Sequence, residues 1–203
     1  MVPLSFTPSA NIGSCRSNLL FLQDSATNDP LWAKDRPASY AQPAAGGTTI
    51  SRNPFTLNFQ AETGWNLAGG GPSEGEARPS YQHGVSSIVG STRGVPDISS
   101  DADPNSGVWV MDSIPADGQG GPGSWWIVGG TSVASPTLAG IVNSAGHFFA
   151  STNAELTTVY DNLGTANFRD ITQGSCFFYN GFFAGKGWDF CTGVGSPHGK
   201  GGE

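Results

Sequence analysis

Glycine punctuation most constrains this chain. From residue 37 onward, short apolar or threonine-rich stretches are separated by glycine clusters: Gly46-Gly47-Thr48-Thr49, Gly69-Gly70-Gly71-Pro72, Arg93-Gly94-Val95-Pro96 and Gly129-Gly130-Thr131-Ser132. Such clusters allow tight turns and close backbone approach, and they forbid long helices wherever they fall. The 30 glycines and 14 prolines among 203 residues are a composition shared with disordered chains, but six Trp, twelve Phe and 37% hydrophobic residues supply a core. One loop-rich domain is the expectation.

Between the glycines, strands are expected at Thr48 to Ser51, Phe55 to Phe59, Asp97 to Ser99 and Gly107 to Met111, where β-branched and aromatic residues gather. Helix signals appear only after Ser132. Leu138, Ile141, Val142, Ala145 and Phe149 recur at helical spacing and predict an amphipathic helix with a wide buried face. A second helix is expected from Thr152, with Thr152 as cap, Glu155 reaching back in a capping box, and Leu156, Val159, Tyr160 and Leu163 as its stripe. Buried strands, glycine loops and two helices favour an α/β layer fold over an all-β sandwich. No internal repeat is visible.

Nine basic against sixteen acidic residues give a net charge of −7. The cations are scattered from Arg16 to Lys200, so no basic face exists for nucleic acid. No apolar run approaches the ~20 residues that span a bilayer. Only 12% of residues are charged, against roughly a quarter in ordinary soluble domains. Low charge and a pI of about 4.7 suit work outside the cell in acid. No signal peptide opens the chain, because Met1 is followed by Pro3 and Pro8 and the first basic residue is Arg16. Cys15, Cys176 and Cys191 are an odd set with no zinc spacing. A Cys176–Cys191 disulfide is left open and would need an oxidising compartment.

Ser132 follows two glycines and opens the first long helix. Free N–H groups and the positive end of the helix dipole could there stabilise an oxyanion. Serine is also a common helix cap, so position alone does not separate chemistry from capping.

Gly130-Thr131-Ser132-x-x-x-Pro136 resembles the nucleophile signature of subtilisin-like peptidases. The histidines, in Gln82-His83-Gly84, Gly146-His147-Phe148 and Pro197-His198-Gly199, do not supply the His-Gly-Thr-His setting of a histidine-dependent subtilase. The better resemblance is to the sedolisin family of serine-carboxyl peptidases. It is carried, in order, by Pro37-Ala38-Ser39 with Gly46-Gly47-Thr48-Thr49; Glu62-Thr63-Gly64-Trp65-Asn66 with Gly69-Gly70-Gly71; Pro79-Ser80-Tyr81-Gln82; Arg93-Gly94-Val95-Pro96-Asp97 with Asp101-Ala102-Asp103-Pro104; the serine motif; and a loop from Asp170 to Asp189.

The resemblance implies a subtilisin-like α/β fold with a mostly parallel sheet, incomplete on its N-terminal side. Residues 1–36 would be an irregular segment, 37–198 the C-terminal part of a peptidase domain, and 199–203 a tail. It implies Ser132 as nucleophile, working with a Glu/Asp base pair and an oxyanion Asp. Asp24, in Leu22-Gln23-Asp24-Ser25-Ala26, takes the oxyanion role, although the family's flanking glycines are replaced. No Glu-x-x-x-Asp occurs: four positions beyond Glu62, Glu74, Glu76 and Glu155 stand Asn66, Arg78, Ser80 and Val159. The chain alone is therefore expected to be nearly inactive.

The same resemblance implies one Ca²⁺ held by the carboxylates of Asp170 and Asp189 and the carbonyls of Ile171, Gly185 and Gly187. From the residues alone, an Asx-turn and a surface acid explain those two aspartates as well. The expected partners are a polypeptide substrate and a propeptide or missing N-terminal part. The expected state is a secreted monomer.

Overall fold

The computed structural model describes residues 43–114, 123–176 and 181–202. The first 42 residues, including Cys15, Asp24 and Pro37-Ala38-Ser39, lie outside it.

The central sheet is built on β1 (Ala45–Arg52). It pairs antiparallel with β2 (Phe59–Gly64) and parallel with β5 (Ile98–Asp101), the latter in register from Ala45↔Ile98 to Thr48↔Asp101. The glycines of β1 are there for close approach. A Cβ on Gly46 would stand 2.7 Å from Pro96 Cγ, and one on Gly47 2.8 Å from the Ala102 methyl. β3 (Gly71–Ala77) pairs with β4 (Thr92–Val95), and β6 (Val108–Asp112) with β7 (Ser124–Val128), both antiparallel.

Two short helical elements stand between β3 and β4, a 3-10 turn Ser80–Val85 and α1 (Ser86–Val89). They correct the expectation that helix begins only after Ser132. At four to six residues they are too short to show a period, and burial of Tyr81, Gln82, Val85 and Val89 holds them.

Phe55 to Phe59 is likewise not a strand. The Asn53 side chain accepts the N–H groups of Phe55 and Thr56, both at 2.9 Å, and Leu57 takes a positive φ of 59°. This Asx-turn overrides the β-propensity of the apolar residues, and the strand starts at Phe59.

α2 (Thr131–Ala145) packs on β1 and β5, and α3 (Thr152–Asp161) packs on the 3-10 turn. α2 stops where Gly146 turns left-handed at φ 71°, which leaves Phe149 beyond it. Its buried face is narrower than the apolar stripe: Ala134 and Leu138 are buried, whereas Ile141, Val142 and Ala145 are half-buried. The cap of α3 is Ser151, whose Oγ accepts the Ala154 N–H at 3.2 Å, so Thr152 is the first helical residue. Glu155 instead lines a cavity of about 340 Å³ between α2, α3 and the sheet.

Short antiparallel pairs close the C-terminal part, β8 (Phe168–Arg169) with β11 (Ser196–Pro197) and β9 (Ser175–Cys176) with β10 (Phe182–Phe183). The core runs through Val85, Ile98, Leu156, Val159, Trp188 and Val194. At its centre sits a polar knot. Asp97, fully buried, accepts from Arg93 Nη2 at 2.8 Å, the Ala44 N–H at 2.9 Å and the Tyr160 hydroxyl at 3.0 Å. The Tyr160 oxygen in turn accepts from Gln82 at 2.6 Å and from the Trp188 indole at 3.1 Å. Each of these buried polar groups has a partner, as burial demands.

Candidate active site

Ser132 is the second residue of α2 and is exposed. Its approach is fixed by two glycines. A Cβ on Gly129 would lie 2.5 Å from the Pro104 nitrogen and 2.7 Å from the Ala102 carbonyl oxygen. Gly130 takes φ 94°, a region that side chains avoid. Its N–H donates to the Ala102 carbonyl at 2.5 Å, and its own carbonyl accepts from the N–H groups of Val133 and Ala134. Pro136 has no N–H to donate to the Ser132 carbonyl four residues back. The serine thus stands at a helix N-terminus, on a turn suspended from the Ala102 carbonyl.

All three histidines are exposed. His147 packs edge-on against Phe149, with ring centroids 4.6 Å apart, and the His198 ring meets the Ala166 carbonyl at 3.2 Å. Among the described residues, no hydrogen bond joins a histidine to Ser132. Asp101 and Asp103, just before the suspending turn, are held locally. Ser106 Oγ donates to Asp101 at 2.6 Å, and Thr49 Oγ1 donates to Asp103 at 2.9 Å. Burial pushes the Asp101 carboxyl above the usual carboxylate range.

The candidate metal residues come together around one loop. Both Asp170 oxygens accept the Gly187 N–H at 3.1 Å. Asp189 Oδ2 accepts the Gly185 N–H at 3.0 Å and the Thr192 hydroxyl at 3.0 Å, while its Oδ1 accepts the N–H groups of Cys191 and Thr192. Burial raises the Asp189 pKa, and these donors oppose the rise. Ile171 is buried beside the loop, and Gly187 has φ 79°. Two carboxylates facing a glycine loop fit a hard, oxygen-seeking cation. Among the described residues no group of three or more His, Cys, Asp or Glu side chains converges, so carbonyls would have to complete the shell. Cys176 and Cys191 form a disulfide with Cα atoms 5.4 Å apart, tying β9, inside the loop, to the turn that follows Asp189.

Two features were hidden from sequence reasoning. Gln82, Arg93 and Asp97 of the polar knot fall within motifs that carry the resemblance and Tyr160 within a helix stripe, but nothing local signals that they meet. Glu62 opens one of the motifs that carry the resemblance, but nothing local signals where its side chain goes. Its carboxylate is 5% exposed and touches Thr48, Ser196 and Arg169.

A sheet covered by the helix that carries the serine, with glycines where the turn meets β5, defines a subtilisin-like α/β fold. Kumamolisin from Bacillus sp. is 33% identical to the chain over 189 residues, covering 84% of the chain and 32% of kumamolisin. Sedolisin from Pseudomonas sp. is 30% identical over 195 residues, covering 85% and 30%. A solved Pseudomonas sedolisin, a serine-carboxyl proteinase complexed with two molecules of pseudo-iodotyrostatin, superimposes with a TM-score of 0.60 at 30% identity, over 76% of this chain and 43% of that one. No protein-family model matches the chain. Over the matched region the chain belongs to the sedolisin family, whose members are serine-carboxyl peptidases. It spans about a third of the length of the curated relatives it matches. No described helix is long and apolar enough to cross a membrane.

Proposed function

We propose that the chain contributes the nucleophile half of an acid-acting serine-carboxyl endopeptidase. The observation that carries this reading is the setting of Ser132, exposed at the head of α2 on a turn that only glycines can make. Ser132 Oγ attacks a peptide carbonyl, the amine leaves, and water hydrolyses the acyl-enzyme, with a carboxylate as proton acceptor in place of imidazole. The first-turn amides of α2 favour the developing negative charge. Asp24, outside the described residues, donates to the oxyanion while protonated. A carboxyl group donates such a hydrogen bond only while protonated, which ties turnover to acid. The Glu/Asp pair is absent from these 203 residues, and the chain alone is nearly inactive because such groups act as a unit.

One Ca²⁺ would be held by Asp170 and Asp189 with the carbonyls of Ile171, Gly185 and Gly187. There it would neutralise the two acids and brace the loop. The substrate is polypeptide, the working place extracellular, and the state monomeric, with a propeptide as further partner. A non-catalytic calcium-binding fragment or degenerate homologue is the second reading, favoured by the missing Glu-x-x-x-Asp.

The test joins the chain to a segment bearing a Glu-x-x-x-Asp pair and follows cleavage of a denatured protein from pH 3 to 7. Cleavage confined to acid and abolished by Ser132→Ala is expected. Cleavage that survives Ser132→Ala overturns the assignment, and no cleavage favours the second reading. For calcium, the expected result is a lower melting temperature in chelator, since a ligand at a hundred times its Kd stabilises by about 2.7 kcal/mol. An unchanged melting curve removes the ion.

A further inference from the structure

The motif around Glu62 has no part in the chemistry above, yet its carboxylate is buried at a junction of four strands. Oε1 accepts the Thr48 hydroxyl at 2.6 Å, and Oε2 accepts the Ser196 hydroxyl at 2.7 Å and lies 3.5 Å from Arg169 Nε. These partners belong to β1, β11 and β8, and Glu62 itself to β2. From Thr48 the connection runs by backbone. Its carbonyl accepts the N–H groups of Ala102, at 2.8 Å, and Asp103, at 3.2 Å. The Ala102 carbonyl then accepts the Gly130 N–H, two residues before Ser132.

Each link is short and sits where little slack exists. Thr48 and Ala102 are both fully buried. A Cβ on Gly47, the residue before Thr48, would strike Ala102, and one on Gly129 would strike the Ala102 carbonyl. A shift of Thr48 therefore moves the 102–104 turn, and a shift of that turn moves the serine. Thr48 has one side-chain anchor among the hydrogen bonds described, the Glu62 carboxylate.

We infer that Glu62 is a positioning residue for the serine turn, acting through Thr48 and Ala102 to hold Gly130 and hence Ser132 in place. The inference rests on Ser132 being the nucleophile. Its test reads amide exchange instead of turnover, so the two can fail separately. Its requirement is a hydrogen-bond acceptor at the Thr48 hydroxyl, which Glu62→Gln retains and Glu62→Ala removes.

The experiment compares hydrogen exchange, resolved by residue, in the full 203-residue chain and these two variants. In Glu62→Ala the Ala102 and Gly130 amides should exchange about tenfold faster, the effect of losing one hydrogen bond to a charged group. The amides of α3 should be unchanged, and Glu62→Gln should recover most of the protection. If Glu62→Ala does not fold, Thr48→Val removes the same hydrogen bond and should give the same local pattern. Unchanged exchange at Gly130 overturns the inference. So does acceleration spread equally over α3, or an equal loss in the Ala and Gln variants.

Discussion

The region around Asp97 and the region around Ser132 are folded by different means. The Asp97 region closes on itself. Arg93 and Tyr160 bond one buried carboxylate, Gln82 and Trp188 bond the Tyr160 hydroxyl, and apolar residues from the 3-10 turn, α1, β5, α2, α3 and β8 surround them. The Ser132 region does not close among the described residues. α2 buries two side chains, and β6 and β7 expose Trp109, Met111, Trp125, Trp126 and Ile127 on both faces of their ribbon. The serine motif is thus held by backbone geometry, by glycines and carbonyls, while the distant knot is held by side chains. Substitutions should therefore be costly for folding in the knot and mild for folding on the ribbon.

The largest effect is expected at Asp97. Asp97→Ala removes the buried 2.8 Å partner of Arg93, which keeps its 3.0 Å pair with Glu76, and takes the acceptor from the Tyr160 hydroxyl and the Ala44 N–H; losing one member of a buried pair costs about 3–5 kcal/mol. A urea melt at pH 7 should show that loss as a fall in midpoint. A loss under 1 kcal/mol would mean that this region is not the self-sufficient one.

Next is the disulfide. Reduction, or Cys176→Ala with Cys191→Ala, should cost about 3 kcal/mol, the chain-entropy value for a loop of this size. Differential scanning calorimetry with and without reductant measures it. An effect centred on α2 instead of on the loop between Asp170 and Asp189, seen by hydrogen exchange, would erase the contrast between the regions.

The two regions also differ in how much was legible beforehand. The start of α2 and the strand at Gly107 to Met111 followed from local signals, helical period and alternating β-formers, whereas the Asp170 to Asp189 loop was marked out by the family resemblance and not by its residues alone. The knot was not legible, because Gln82, Asp97 and Tyr160 are far apart in sequence and meet only when the fold closes. The turn at Asn53 was missed because a side-chain hydrogen bond outweighed the propensity of Phe55 and Leu57. The buried face of α2 was overestimated because helical period shows which residues share a face, not whether anything covers it.

Smaller effects come from pH. An acid whose folded pKa lies above its unfolded value binds more protons in the native state, so its penalty is absent below the unfolded pKa and grows as pH rises through the folded one. Burial raises Asp97, Asp189, Asp101 and Glu155 in this way. Stability should therefore rise on going from neutral into mild acid. Glu155 is the clean probe, because burial at the α2–α3 cavity is the only cause of its shift. Glu155→Gln should raise the melting temperature at pH 7 by well under about 1 kcal/mol equivalent and flatten the slope between pH 4 and 7. An unchanged slope would place Glu155 in water and detach it from the cavity.

The smallest folding effect belongs to the ribbon. Trp125 is 63% exposed and lies on the same face as Trp109, Met111 and Ile127, by the register Trp109↔Ile127 and Met111↔Trp125. Removing an exposed side chain changes stability by less than about 0.5 kcal/mol, so Trp125→Ser should leave the urea midpoint where it was. It should, however, reduce binding of an apolar dye such as ANS, because contiguous exposed aromatics are where such probes gather. Trp188→Ala is the matching control in the closed region. Trp188 is 2% exposed and donates to Tyr160, so its loss should cost about 3–5 kcal/mol. If Trp125→Ser destabilised the chain as much as Trp188→Ala, the ribbon would be part of a closed core, and the serine would rest on packed side chains, not on a backbone turn.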